Sequence, residues 1–176
     1  RRYPFRSPGG GVSVLAEIGG ALALEYELPS VATLTIVVAR VLTAAVLGGL
    51  IGFERERKGR SAGFKTHILV SIGSALFVLA PAMSGVPMED ITRVMQGIVS
   101  GIGFLGAGAI IKMDKDARVE GLTTAAGIWM TSAVGMAAGM GMEIVALVTT
   151  LVALMVVGVI PRIMGQDDAA SDLPKP

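Results

Sequence analysis

Five stretches of the chain are long enough and apolar enough to read as helices that cross a bilayer, for which roughly 20 mostly apolar residues are needed. They run from Val31 to Phe53, from about Ile68 to Met83, from about Val94 to Ile111, from about Leu122 to Met140, and from Ile144 to Ile160. The second is short unless Thr66 and His67 are included, and Pro161 is expected to stop the last. Before them, Arg1 to Gly11 is polar, with proline and three consecutive glycines, and predicts a flexible segment. Val12 to Leu24 is apolar but interrupted by Glu17 and too short to span, which suits an amphipathic helix lying on a membrane surface. The expected organisation is an N-terminal flexible and interfacial segment over 1–30, a transmembrane domain over 31–161 and a short disordered cytoplasmic tail over 162–176. The fold class is all-α, a polytopic membrane helix bundle.

Charge sets the orientation, since basic residues accumulate in cytoplasmic loops. Arg55, Arg57, Lys58, Arg60 and Lys65 follow the first span, Lys112, Lys115 and Arg118 follow the third, and Arg162 and Lys175 follow the fifth. These hold ten of the fifteen Lys and Arg, against Arg93 alone in the opposite loops; Arg1, Arg2 and Arg6 at the N-terminus pull the other way. The expected topology has the N-terminus outside and the C-terminus in the cytoplasm.

Composition agrees with this picture. The chain has 176 residues, 52% hydrophobic and 16% charged, against about a quarter charged in soluble domains. Mean hydropathy is +0.69. A net charge of +1 gives no support to nucleic-acid binding. The absence of cysteine excludes disulfides, thiolate metal sites and a thiol nucleophile, and one histidine, His67, excludes a multi-histidine site within one chain. No Ser/His/Asp set, Glu-x-x-His or P-loop is present, so neither an enzyme nor a cofactor is expected; whether a metal binds is open.

The polar residues inside the spans are the candidates for function. Arg40 lies nine positions after Val31, where an ionised side chain costs at least ~2.5–3.5 kcal/mol. It either snorkels to the outer interface or meets a buried partner: helix carbonyls, Asp90 or Glu143. Glu54 lies on nearly the same helix face, within about 40°, but some 21 Å along the axis, too far to pair with Arg40. Glu54 reads as a loop ion pair or as an anchor between the first cytoplasmic loop and the bundle, and His67 as a capping or interfacial residue. Gly97 and Gly101, Gly48 and Gly52, and Gly135 and Gly139 form GxxxG pairs, which let helix backbones approach closely. With Gly103, Gly106 and Gly108, the third span is either tightly packed, so that leucine at Gly101 or Gly106 disrupts folding or assembly, or a broken helix lining a cavity. Gln96, Ser100, Gly103 and Ala107 share one face of it. In the fourth span, Thr124, Thr131 and Gly135 share a face, the threonines expected to bond their own helix or a neighbour.

Four segments in order, Gly48-Gly-Leu-Ile-Gly-Phe-Glu-Arg-Glu56, Ala62-Gly-Phe-Lys-Thr-His67, Val99-Ser-Gly-Ile-Gly-Phe-Leu-Gly-Ala-Gly108 and Gly121-Leu-Thr-Thr-Ala-Ala-Gly-Ile-Trp129, resemble the MgtC/SapB family of bacterial inner-membrane proteins. The resemblance covers roughly Arg40 to Ile160. It implies functionally sensitive positions at Arg40, Glu54, Asp90, Arg93, Gln96 and the glycine-rich segment, and a role in survival under magnesium limitation and, in pathogens, within macrophages. It also implies, for the best-known member, restraint of the F-type ATP synthase by direct binding. The soluble C-terminal domain of the virulence-type members is not represented, which fits the shorter, membrane-only branch, and Glu120 stands where many members carry a basic residue. The expected function is a non-enzymatic regulator acting through another membrane protein, with the bilayer and a homo-oligomer as further partners; the alternative is a small oligomeric cation carrier or channel. The topology has a direct test: cysteine at Ser61 should resist an impermeant thiol reagent in intact cells and react after permeabilisation, and labelling in intact cells would reverse the orientation.

Overall fold

The computed structural model describes residues 14–26, 28–113 and 118–163. The chain is all-α apart from one short hairpin. Two units are distinguished, residues 1–35 and 36–176. In the first, α1 (Val14–Glu25) covers most of the expected surface helix, but its exposed apolar side chains are spread round it: Glu25 projects between Val14 and Ile18. Ser30 then starts α2 (Val31–Arg57), its Oγ accepting from the Thr33 N–H at 3.1 Å, an N-cap that satisfies one of the first orphan amides. The expected flexible residues 1–11 and the tail beyond Ile163 lie outside the described residues.

The second unit holds the rest of α2 with α3 (Phe64–Met83), α4 (Met88–Gly108), α5 (Leu122–Gly139) and α6 (Glu143–Leu154). Helix α3 includes both Thr66 and His67, and α4 is continuous through its glycines, which corrects the broken-helix reading of the third span. Between α4 and α5 the strands β1 (Ile111–Met113) and β2 (Arg118–Glu120) pair antiparallel, Ile111 opposite Glu120. Gly121 closes this hairpin onto α4 at φ +87°, and a Cβ there would run into the Ala109 carbonyl at the end of α4. The last helix does not stop at Pro161. It passes through a π-helical turn, Met155–Val159, into α7 (Ile160–Ile163), the wider turn accommodating a proline that cannot donate its amide. Among the described residues, α2 and α3 are long and apolar enough to cross a membrane; α6 with its π turn is apolar but shorter.

The core is built on glycine contacts around α3. His67, Ser71 and Ala75 form a stripe at four-residue spacing, fully buried. On one side an added Cβ at Gly48 would sit 2.6 Å from Ser71 Cβ, and one at Gly52 2.8 Å from His67 Cβ. On the other, one at Gly135 would meet the Ser71 carbonyl and lie 2.8 Å from Ser71 Cα, and one at Gly139 would be 2.8 Å from Ala75 Cα. Helix α3 is therefore gripped between the glycine ridges of α2 and α5. Ala44, Leu47 and Ile51 of α2 join Ala75, Val134, Ala138 and Ala146 in an apolar cluster that brings in α6. Helix α4 seats on α3 and α5 through Ile91, packed with Val78 and Met136, and through Ile102, packed with Ile128.

The glycines of α4 behave differently. A Cβ at Gly97, Gly101, Gly103 or Gly108 would have no neighbour within 4 Å, and at Gly106 the nearest atom would be Ala125 Cβ at 3.5 Å. The expectation of tight packing along this span is corrected within the chain: α4 turns Gly106 to α5 and leaves the others open. Gly135→Ala should therefore lower the thermal midpoint of the detergent-solubilised protein, by an overpacking cost of about 1–3 kcal/mol. Gly101→Ala should leave it unchanged or raise it, alanine being better than glycine in a helix by about 1 kcal/mol. Equal effects of the two changes would contradict this packing.

Candidate functional site

The polar residues expected to carry function do not converge on one site. They mark the two ends of α2 and the outer face of α4. Near the first end, Arg40 Nη1 donates to the Gly139 carbonyl at 3.1 Å. The termination of α5 explains that contact. The Gly141 N–H bonds the Ala138 carbonyl at 3.0 Å and the Met142 N–H reaches back to Ala137 at 2.9 Å, with Gly141 left-handed at φ +78°. This paired pattern satisfies the carbonyls of the last turn but leaves that of Gly139, and a cation at a helix C-terminus is also favoured by the macrodipole. The guanidinium lies so close over the turn that a Cβ on Gly141 would be 2.5 Å from Nη2. Of the partners considered for Arg40, the structure places it on the helix carbonyl; Asp90 lies instead 3.6 Å from Arg93, one turn along α4.

At the other end, Glu54 is largely buried, its side chain 17% exposed. Its Oε1 lies 3.2 Å from Lys58 Nζ and its Oε2 3.6 Å from Arg55 Nη1, yet among the described residues neither oxygen accepts a well-formed hydrogen bond. Arg55 is only 2% exposed. Lys58 Nζ also donates to the Val157 carbonyl at 2.7 Å. Val157 precedes Pro161 by four residues, so it is the carbonyl that Pro161, lacking an N–H, cannot serve in an α-helix. A Cβ on neighbouring Gly158 would be 3.8 Å from Glu54 Cγ, so the acid's stem runs along the π turn. Glu56 acts on the next helix: its Oε2 accepts the Phe64 N–H at 2.7 Å, capping α3, whose N-cap residue Gly63 has no side chain to offer.

His67 is fully buried, which corrects the interfacial reading; the glycines at 52 and 127 leave room for its ring. Its Nδ1 is 2.9 Å from the Gly63 carbonyl and must carry the hydrogen, since a carbonyl only accepts. Its Nε2, turned to Gly127, has no partner among the described residues, and neither has Ser71 Oγ. Further along the same helix pair, Ser74 Oγ and Ser132 Oγ are 2.7 Å apart, and Thr131 bonds its own helix at Gly127. Thr124 is buried on α5. Asp90, Arg93, Gln96 and Ser100 are all exposed on α4.

Sequence reasoning missed Glu56 and Lys58 as contact-making residues, although both lie in or beside the segment Gly48 to Glu56. Their trace was the run of alternating charge at the end of an apolar helix, where an acid two residues after another projects from the opposite side of the helix.

The MgtC family model matches residues 41–165, 125 of the 176 positions. The chain belongs to the MgtC family. Within the curated members it is similar to Protein SrpB of Synechococcus elongatus, 42% identical over 66% of this chain and 70% of that protein. It is similar also to the Putative magnesium transporter YhiD of Escherichia coli, 36% identical over 69% of this chain and 59% of that one, and to Protein MgtC of Brucella abortus, 47% identical over 61% and 44%. The alignment thus spans little more than half of YhiD and less than half of the Brucella MgtC. No solved structure matches. The MgtC match takes in the whole glycine-gripped bundle, the Glu54 cluster and the π turn, and it begins one residue after Arg40.

The cap at the first end is open to a double-mutant cycle. Arg40→Ala should destabilise the protein by about 1.5–3 kcal/mol, the worth of a hydrogen bond from a charged donor. Gly141→Ala should destabilise it through the strained φ and the clash with the guanidinium. Combined, the two should cost less than their sum, because removing Arg40 relieves the clash; strict additivity of the unfolding energies would show that Arg40 does not rest on this turn.

Proposed function

We propose that this MgtC-family protein is a non-enzymatic regulator in the bacterial inner membrane, acting in magnesium limitation through contact with another membrane protein. In this reading all five long helices span, with the N-terminus outside and the C-terminus in the cytoplasm. The observation that carries it is the outer face of α4. Gln96, Ser100, Gly103 and Ala107 lie on one side of that helix, all exposed, and on the side opposite the residues that seat it on α3 and α5. Polar and small residues at membrane depth normally face protein, where backbones approach closely and amides and hydroxyls find hydrogen bonds. A face of this composition turned outward is suited to a helix from another protein. The magnesium context is supported by the name of the YhiD relative, a putative magnesium transporter.

That name also supports a second reading, a cation carrier, and the observation in its favour is Glu54, a buried carboxylate that is ion-paired with Lys58 and Arg55 but accepts no well-formed hydrogen bond among the described residues. One set of variants separates the two. Gln96→Leu and Gly103→Leu should keep the thermal midpoint of the purified protein, since neither side chain packs within the chain. Both should fail to restore growth of a deletion strain in low magnesium, and both should lose the membrane protein recovered with the parent chain in mild detergent. Retained growth in both would refute the regulatory surface. Magnesium flux into liposomes that is lost on Glu54→Gln and kept in Gly103→Leu would establish the carrier instead.

A further inference from the structure

Helices α3 and α4 leave a groove of about 860 Å³ between them. This is within the roughly 300–1,000 Å³ of small-molecule sites. Its shape is fixed by missing side chains: a Cβ at Gly73 on α3, or at Gly97 or Gly101 on α4, would meet nothing within 4 Å. Its walls are apolar, with Leu69 and Phe77 on one side and Ile98 and Leu105 on the other. Among the described residues, Lys65 is the one charged residue lining it, at one end, in the first turn of α3. Lys65 is exposed, and among the described residues no carboxylate pairs with it.

From Lys65 to Phe77 the groove runs twelve residues along α3, about 18 Å. That is slightly more than half the ~30 Å hydrocarbon thickness, the depth of one leaflet. An apolar slot one leaflet deep, with a cation at its mouth, is complementary to an amphiphile of the same dimensions and opposite head charge. We propose that the groove binds a phospholipid with an anionic headgroup, one acyl chain lying over Gly73, Gly97 and Gly101 and the phosphate paired with Lys65. The groove and the polar face formed by Gln96, Ser100, Gly103 and Ala107 lie on opposite sides of α4, so lipid and a partner helix do not compete. The inference needs a membrane protein but not the regulatory role, and lipid binding without any recovered partner would leave it intact.

The test is native mass spectrometry of the full chain in detergent, titrated with dioleoyl phosphatidylglycerol or dioleoyl phosphatidylcholine. The parent chain should hold one lipid and prefer phosphatidylglycerol about fivefold, the effect of one lysine beside an anionic headgroup. Lys65→Gln should bring that ratio to about one while phosphatidylcholine still binds. Gly101→Leu should weaken both lipids at least about tenfold by occupying the acyl slot, and Gly73→Leu should do the same from the opposite wall should the first variant fail to fold. Undiminished adducts in both leucine variants, or a preference for phosphatidylglycerol that survives Lys65→Gln, would overturn the proposal. So would a parent chain that takes up no lipid and changes oligomeric state on Gly101→Leu, which would give the groove to a second copy.

Discussion

The bundle depends on the close contact of three backbones at Ser71. Gly48 approaches this residue from α2 and Gly135 from α5, and a methyl group at either position would overlap α3. In a bilayer, burial of apolar surface does not drive helices together, because lipid tails are as apolar as leucine; close backbone packing and interhelical hydrogen bonds must do so. Glycine ridges on both neighbours supply the first. The Ser74–Ser132 bond supplies the second, one turn along from the tightest contact. The same closeness explains why so many polar groups are buried in so apolar a chain. Residues on the gripped stripe of α3 must be small or flat, and serine, alanine and the imidazole of His67 meet that condition.

This grip also fixes the rotation of α2. Arg40 and Glu54 lie roughly a third of a turn round the helix from the Gly48–Gly52 ridge. Once the ridge is docked on α3, both side chains are carried to the α5–α6 side. There Arg40 meets the end of α5 and Glu54 the π turn of the last helix. A shift in the rotation of α2 would move both contacts together, so the charges act as checks on one docking geometry.

Much of this was legible in the sequence, and the illegible part has a physical cause. The five long helices follow from apolar length, and a helix carbonyl was among the partners open to Arg40 on the cost of its burial alone. The GxxxG pairs were equally visible in α2, α4 and α5, but the motif records only that a backbone can be approached, not that it is. Gly48 and Gly135 are occupied because two helices converge on α3. Gly97 and Gly101, with the same spacing, have no neighbour within 4 Å and line the groove between α3 and α4. His67 was misread for the same reason: whether a lone histidine at the start of a helix is wet or buried depends on glycines at 52 and 127, on other helices. The charged run at Glu54 to Lys58 could be read as a loop ion pair or as an anchor to the bundle, because its partners, the Phe64 amide on α3 and the Val157 carbonyl on the last helix, are not brought near by sequence spacing.

Seen from the backbone rather than from the charges, the two ends of α2 solve one problem. A helix that terminates or takes in a proline leaves carbonyls without an intrahelical donor, and each such group is costly when buried. Helix α5 terminates at Gly139 and the last helix takes in Pro161. Arg40 donates to the first stranded carbonyl and Lys58 to the one Pro161 cannot reach. Glu54, lying against Arg55 and Lys58, offsets the charge that the second of these contacts brings inward. Arg40 and Lys58 therefore each have a carbonyl partner within the chain that accounts for their place in the fold. The polar face of α4 is different: among the described residues neither Gln96 nor Ser100 has a side-chain partner, and this is why the proposed recognition surface is placed there rather than on the most conspicuous charge in the sequence.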